Sequence, residues 1–123
     1  MPDKWELATK KLFDLTEAGN LKWARQDDFV VRGDVQVQGF VYSATVNDKL
    51  IVVYEERVPG WEDEPDYHRS VIEFAEMVPD TEKFVTEWRW PGTRYDDRLL
   101  DSVRFHESGG EQFLNTFLAS TAS

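Results

Sequence analysis

The sequence has 123 residues, of which 41% are hydrophobic, and a chain of this length buries roughly two-thirds of its unfolded surface as one domain. Its 24 acidic and 14 basic residues give a net charge of -10, which would repel the phosphate backbone of a nucleic acid. Cysteine is absent, which excludes disulfides, thiol nucleophiles and cysteine-ligated metal sites. We therefore expect one acidic domain, spanning residues 1–123, that does not bind nucleic acid.

Hydropathy bears on the location of the protein. No apolar stretch reaches the length that crosses a bilayer, and the first residues, MPDKWELATKK, lack the apolar segment of a secretory signal. Together with the absence of cysteine, this pattern predicts a cytoplasmic protein without a membrane partner.

The N-terminal stretch predicts a helix from about residue 4 to residue 18. Asp3 is suited to cap its first turn, with Glu6 three residues later as the reciprocal partner. Apolar residues recur at spacings of three and four, which places them in one buried stripe. The stripe consists of Trp5, Ala8, Leu12 and Leu15, widened by Leu7 or Phe13. Gly19 can adopt the left-handed conformation that ends a helix.

Residues 40–57, with the sequence FVYSATVNDKLIVVYEER, predict a β-hairpin around which the other elements are arranged. Asn47 and Asp48, between two runs of strand composition, tolerate the positive φ angles of a two-residue turn. The apolar face switches near Gly39, which predicts a bulge or a bend. Residues 50–54 are all apolar, as in a central strand covered on both faces or a strand at a partner surface.

Three further segments predict strands. Residues 24–33 suit an edge strand, and residues 69–78 suit a strand although their composition also permits a helix. Residues 83–90, KFVTEWRW, then predict a second hairpin with Phe84, Trp88 and Trp90 on one face.

The C-terminal part predicts two short helices. Asp96 or Asp97 can cap the first, and the pair Gly109-Gly110 interrupts it. Its inward residues would be Leu99, Leu100 and Val103. Residues 111–119 have apolar side chains at helical spacing, and we expect them to pack where the first helix does. The predicted fold class is α+β: an antiparallel sheet of four to six strands with an N-terminal helix and one or two C-terminal helices on one face.

The middle of the chain concentrates negative charge. Residues 55–66 contain six carboxylates and one arginine, a charge of -5. Aromatic residues at both ends of the acidic run could supply contact energy, while the carboxylates steer the encounter. We therefore predict a binding site for a basic protein partner, formed by Trp61, Glu62, Asp63, Glu64, Asp66 and Tyr67. The alternative is a solvated loop whose tryptophan folds back on the core.

The sequence contains no motif that supports a catalytic site or a metal site. His68 and His106 lie far apart and outside HExxH or HxH patterns, and His68 suits an exposed position or an ion pair. No serine stands in a GxSxG motif, and the adjacent Glu55 and Glu56 point to opposite faces of a strand. The acidic run lacks the DxDxDG spacing of a calcium loop. We predict no metal, no cofactor and no catalytic residue.

The end of the first predicted helix has the pattern T-x-x-G-x-L-x-W, formed by Thr16, Gly19, Leu21 and Trp23. With the β-meander and the C-terminal helices, this pattern resembles a group of small uncharacterised bacterial and phage-associated α+β proteins. The resemblance implies the fold and brings no activity with it.

Two functions remain open from the sequence. The first is a non-enzymatic protein-interaction domain, such as an adaptor, a chaperone or an inhibitor, whose acidic loop meets a basic partner. The second is a small-ligand binder or hydrolase with an aromatic pocket between sheet and helices, unless these side chains are core. That pocket would contain Trp23, Tyr42, Trp88 and Trp90. On the second face of the sheet, Val41 and Val53 would leave an apolar surface for a homodimer.

Overall fold

The computed structural model describes residues 3–26, 29–30, 35–81 and 83–120. It confirms the α+β fold. The helices are α1 (Lys4–Glu17), α2 (Asp96–Glu107) and α3 (Gly110–Ala119). The strands are β1 (Ala24–Gln26), β2 (Phe29–Val30), β3 (Gln36–Val46), β4 (Lys49–Val58), β5 (Tyr67–Met77) and β6 (Phe84–Arg89). None of the helices in these ranges combines the length and the apolar character that a membrane span requires.

The sheet has the order β1-β3-β4-β5-β6-β2, and all neighbours are antiparallel except β2 and β6. Two residues separate Gln26 at the end of β1 from Phe29 at the start of β2, so these Cα atoms lie at most about 11 Å apart. The edges of a flat sheet of this order would lie about 24 Å apart. The sheet is therefore curled like a barrel. Where one edge strand was predicted over residues 24–33, the structure has two short strands, β1 and β2, at opposite edges of the sheet; residues 27–28 and 31–33 lie outside the described ranges.

Helix α1 begins and ends as its sequence predicts. The Asp3 carboxylate accepts a 2.9 Å hydrogen bond from the Trp5 backbone N–H, which satisfies one of the free donors of the first turn. Glu6, expected as the reciprocal partner, forms an ion pair with Arg94 instead. Gly19 follows the helix with φ +75°, in the left-handed region.

The buried stripe of α1 contains two threonines that the apolar pattern did not predict. Thr9 and Thr16 are fully buried, and their hydroxyls donate to backbone carbonyls one turn earlier. The Trp23 indole N–H donates to the Thr16 hydroxyl at 3.0 Å, which ties the helix to the segment before β1. Phe13 packs against the core, whereas Leu7 is exposed, so Phe13 widens the stripe.

The central hairpin is confirmed. Asn47 and Asp48 connect β3 to β4 with φ angles of 51° and 63°, as a type I′ turn requires. The predicted bulge is also present: the register of β3 against β4 shifts between Gln38 and Tyr42, and Gly39 has φ +81°.

Strands β5 and β6 form the second predicted hairpin, but the assignment of faces was wrong at one residue. In β6, Glu87 is an extra residue opposite β5, because the register shifts there. Phe84 therefore shares a face with Arg89, while Trp88 and Trp90 lie on the opposite face.

Hydrophobic clusters lie on both faces of the sheet, so β4 is covered on both sides, the first of the two alternatives that its sequence left open. The outer face packs on α1 and α2, and the predicted inward residues Leu99, Leu100 and Val103 are buried there. The inner face of the curved sheet encloses Val41, Val52, Tyr54, Val71 and Ala75.

Three further expectations are corrected. Val41 and Val53 are 5% and 1% exposed, so they form no apolar surface for a second copy. Helix α3 does not pack beside α1: none of its residues is buried, and Phe117 and Leu118 are 64% and 76% exposed. At the start of α2 the N-cap residue is Tyr95. Asp96 lies in the first turn and accepts hydrogen bonds from the backbone N–H and hydroxyl of Thr93.

Candidate functional site

The acidic loop between β4 and β5 has a defined backbone conformation. The Glu64 N–H donates to the Trp61 carbonyl at 3.0 Å, and Glu62 adopts a positive φ of 56° within this turn. Gly60 lies so close to the turn that a Cβ atom in its place would be 2.1 Å from the Glu64 carbonyl oxygen. Only glycine fits there, so the turn depends on this position.

Asp66 holds the two ends of the loop together. One carboxylate oxygen accepts from the Gly60 N–H at 2.9 Å, and the other accepts from Arg57 Nε at 2.8 Å. The Gly60 N–H, and after it the Arg57 guanidinium, lower the pKa of the Asp66 carboxyl below its usual value. Asp66 was predicted to face a partner, but the structure shows its charge already paired inside the loop.

The remaining predicted residues point to solvent. Trp61 is 78% exposed and does not fold back on the core, and Tyr67 at the start of β5 is 53% exposed. Between them Glu62, Asp63 and Glu64 are exposed and form no ion pair with the described part of the chain. The loop therefore presents two aromatic side chains with three carboxylates between them.

A polar cavity of about 280 Å³ lies between α2 and the sheet, and His68 is part of it. His68 Nδ1 is 2.8 Å from a Glu55 carboxylate oxygen, so His68 contacts a carboxylate, and Arg104 donates to the other oxygen of Glu55 at 3.1 Å. Partial burial raises the pKa of Glu55, but the two hydrogen bonds outweigh it and leave this pKa below its usual value. Glu55 is thus ionised near neutral pH.

This cavity does not have the arrangement of a serine hydrolase. The Ser70 hydroxyl donates to Asp97 at 2.7 Å, whereas His68 is engaged with Glu55. A serine nucleophile requires a base that is aligned to take its proton. His106 lies elsewhere, between carboxylates of α1 and α3. No group of three or more histidine or carboxylate side chains in the described ranges is arranged to hold a metal ion.

The inner face of the sheet contains a charged network that sequence reasoning missed. The Tyr54 hydroxyl donates to Glu73 at 2.7 Å, and Arg89 donates to both Glu73 (3.2 Å) and Glu56 (3.0 Å). Arg69 donates to Glu56 at 2.7 Å. Two carboxylates thus face two guanidinium groups. This balance indicates a structural network, since each buried charge has a partner.

The predicted pocket of four aromatic residues is not formed. Trp23, Tyr42 and Trp90 belong to the buried core on the outer face, and Trp88 is 44% exposed. Trp90 also lines a different, apolar cavity beside α1.

Comparisons with known proteins add no function to this geometry. No protein-family model matches the sequence, and neither the curated proteins nor the solved structures gave a significant match. The resemblance to small bacterial and phage-associated α+β proteins therefore rests on the T-x-x-G-x-L-x-W pattern and the order of elements. The features that characterise this chain are therefore its α+β fold and the exposed loop at residues 59–66.

Proposed function

We propose that the chain is a non-enzymatic, cytoplasmic protein-interaction domain that binds a basic protein through the loop at residues 59–66. The observation that supports this proposal most directly is Trp61, which is 78% exposed although tryptophan usually buries most of its surface. Exposed aromatic residues supply much of the energy of protein interfaces. Trp61 would contact the apolar part of the partner's surface.

The charge around Trp61 favours a basic partner. Glu62, Asp63 and Glu64 are exposed and form no ion pair within the described ranges, so their negative potential is not neutralised locally. Unpaired carboxylates of this kind accelerate the encounter with a positively charged surface.

The loop requires little ordering on binding. The turn from Trp61 to Glu64 and the contacts of Asp66 with Gly60 and Arg57 are present in the unbound chain. A preformed loop avoids part of the entropy loss of association, which supports a binding function for this segment.

Photo-cross-linking followed by salt titration tests the proposal. A benzophenone amino acid would replace Trp61 in the producing cell, and the same label at Met77, which is exposed at the far end of β5, serves as the control. We expect a basic protein to be captured from position 61 only. Its binding to the purified domain should weaken between about 50 and 500 mM salt, as the Debye screening length falls from roughly 14 Å to roughly 4 Å.

The triple variant Glu62→Gln, Asp63→Asn, Glu64→Gln separates charge from shape, because it leaves the Asp66 contacts intact. We expect it to bind the captured protein more weakly and with little dependence on salt. Equal capture from both labelled positions, or binding that is insensitive to salt and to the triple variant, would reject the proposal.

A further inference from the structure

A second candidate site lies beside α1, at the other end of β4 from the acidic loop. It is a cavity of about 610 Å³, within the roughly 300–1,000 Å³ of small-molecule sites. Helix α1 contributes Trp5, Ala8 and Leu12 to its lining, and the sheet contributes Ile51, Phe74 and Trp90. The lining is therefore mainly apolar and aromatic.

The aromatic part of the lining forms a continuous wall. The ring centroid of Trp5 lies 4.9 Å from that of Trp90, and Phe74 lies 5.4 Å from Trp90. The Trp90 indole N–H is buried and has no hydrogen-bond partner in the described part of the chain. A buried donor without an acceptor is unfavourable, so an oxygen atom of a bound molecule would improve this site.

Of the two lysines that line the cavity, one gives it a charge opposite to that of the whole chain. Lys49 Nζ forms an ion pair with Glu87 at 2.7 Å, whereas Lys11 has no carboxylate partner among the residues that the structure describes. In a chain of net charge -10, a cation without a counterion at an apolar cavity favours an anionic head group.

We propose that this cavity binds an amphiphilic monocarboxylate, such as a fatty acid of medium chain length. The apolar chain would contact Trp5 and Phe74, and the carboxylate would lie between Lys11 and the Trp90 indole N–H. The site is separate from the proposed protein-binding loop, because Asn47, which also lines the cavity, and residues 59–66 lie at opposite ends of β4. The two proposals therefore stand or fall independently.

NMR titration with dodecanoate, below its micelle concentration, tests the site in the intact chain. Each tryptophan indole N–H gives its own signal, so the readout identifies the location of binding. We expect saturable, one-to-one shifts of the Trp5 and Trp90 signals, while the signal of the exposed Trp61 does not move. Dodecanol, which lacks the charge, should bind about two- to fivefold more weakly.

Matched variants separate specific from nonspecific binding. Ala8→Trp fills the cavity and should abolish binding, whereas Leu7→Trp adds bulk to the exposed face of the same helix and should not. Lys11→Gln should weaken dodecanoate binding by about two- to fivefold, and Lys22→Gln, outside this cavity, should leave it unchanged.

Four results would overturn the proposal. The first is a titration without saturable shifts at Trp5 and Trp90. The second is equal affinity for dodecanol and dodecanoate. The third is undiminished binding to Ala8→Trp. The fourth is a cavity filled by another copy of the chain: the Trp5 and Trp90 signals would then change on dilution and not on addition of dodecanoate.

Discussion

The Tyr54 hydroxyl donates a 2.7 Å hydrogen bond to Glu73 on the inner face of the curved sheet, where Tyr54 is fully buried and Glu73 is 2% exposed. Burial, and then the Glu73 carboxylate, raise the pKa of Tyr54, so the hydroxyl stays protonated and continues to donate. Arg89 supplies the positive charge that Glu73 requires. The stability of the sheet therefore depends on Glu73. Its place in the sequence, alternating with Ile72 and Phe74, is typical of a solvent-facing residue, but it is buried.

We expect Glu73→Ala to lower the free energy of unfolding by about 1.5–3 kcal/mol, because Arg89 loses one of its two carboxylate partners and keeps the other, Glu56. Glu73→Gln should lower the free energy of unfolding by less, since glutamine keeps the side-chain shape and an acceptor for the Tyr54 hydroxyl. Urea unfolding followed by circular dichroism measures both values. Glu76→Gln on the exposed part of β5 is the control and should not destabilise the protein. A loss below about 1 kcal/mol for Glu73→Ala would contradict the structural role of the network.

Asp48→Gly should raise the free energy of unfolding by about 0.5 kcal/mol, because glycine adopts the left-handed conformation of this turn position without steric cost. Asp48 has φ 63° in the native turn. Asp48→Val should instead destabilise the hairpin by about 1–2 kcal/mol, since a β-branched residue is strained there. Thermal and urea unfolding of the pair provide the measurement. Similar losses for both variants would exclude the type I′ turn.

The pKa of Asp66 predicts how the acidic loop responds to pH. Because this pKa is lower in the folded chain than in the unfolded chain, its contribution to stability is present above the unfolded value of about 3.9. The contribution is lost as the pH falls through the folded value. The Gly60 amide proton, which bonds to Asp66, should therefore titrate with a midpoint below about 3.9 in NMR spectra. In Asp66→Asn this transition should disappear, and its persistence would assign it to another group.

Exposed residues of α3 should contribute little to stability. We expect the double variant Phe113→Ser, Phe117→Ser to change the free energy of unfolding by no more than about 0.5 kcal/mol, because both rings are more than half exposed. Leu100→Ala, on the buried face of α2, should lower the free energy of unfolding by about 2–5 kcal/mol. This variant shows that the assay responds to changes in the core. A large loss from the double variant would show that α3 packs on the body of the protein.

The homodimer expected from the sequence would use α3 rather than the sheet. Phe113 and Phe117 stack at 5.6 Å between ring centroids and continue into the exposed Leu118. We expect any self-association measured by sedimentation equilibrium to be lost in Phe113→Ser, Phe117→Ser. A dimer that survives this double variant would place its interface elsewhere.

Local sequence signals predicted the local structure. The turn at Asn47 and Asp48, the bulge at Gly39 and the cap at Asp3 each depend on the conformational preference of a few adjacent residues. The sequence left the position of Trp61 open between an exposed anchor and a side chain folded back on the core, and the structure shows it 78% exposed.

The non-local features were not predictable from the same signals. Parallel pairing of β2 with β6 depends on two short segments far apart in the chain, and nothing in two residues specifies that partner. Glu73 alternates with Ile72 and Phe74, as a solvent-facing residue does, and Glu56 follows an apolar run beside Glu55, yet both are buried on the inner face of the curved sheet. For α3, the apolar spacing predicts a helix with one apolar face and does not specify what covers it.

The pairing of β2 with β6 has a consequence for the order in which the chain folds. The pairs β3–β4 and β4–β5 join strands that are adjacent in sequence. Phe29 and Phe84 also pair, but strands β3, β4 and β5 lie between them in the sequence. Because the entropy of such a long loop is lost before the contact is gained, this junction should form last during refolding. It should also open first. The Phe84 N–H points away from β5, so its amide hydrogen should exchange with solvent faster than those in the middle of β4.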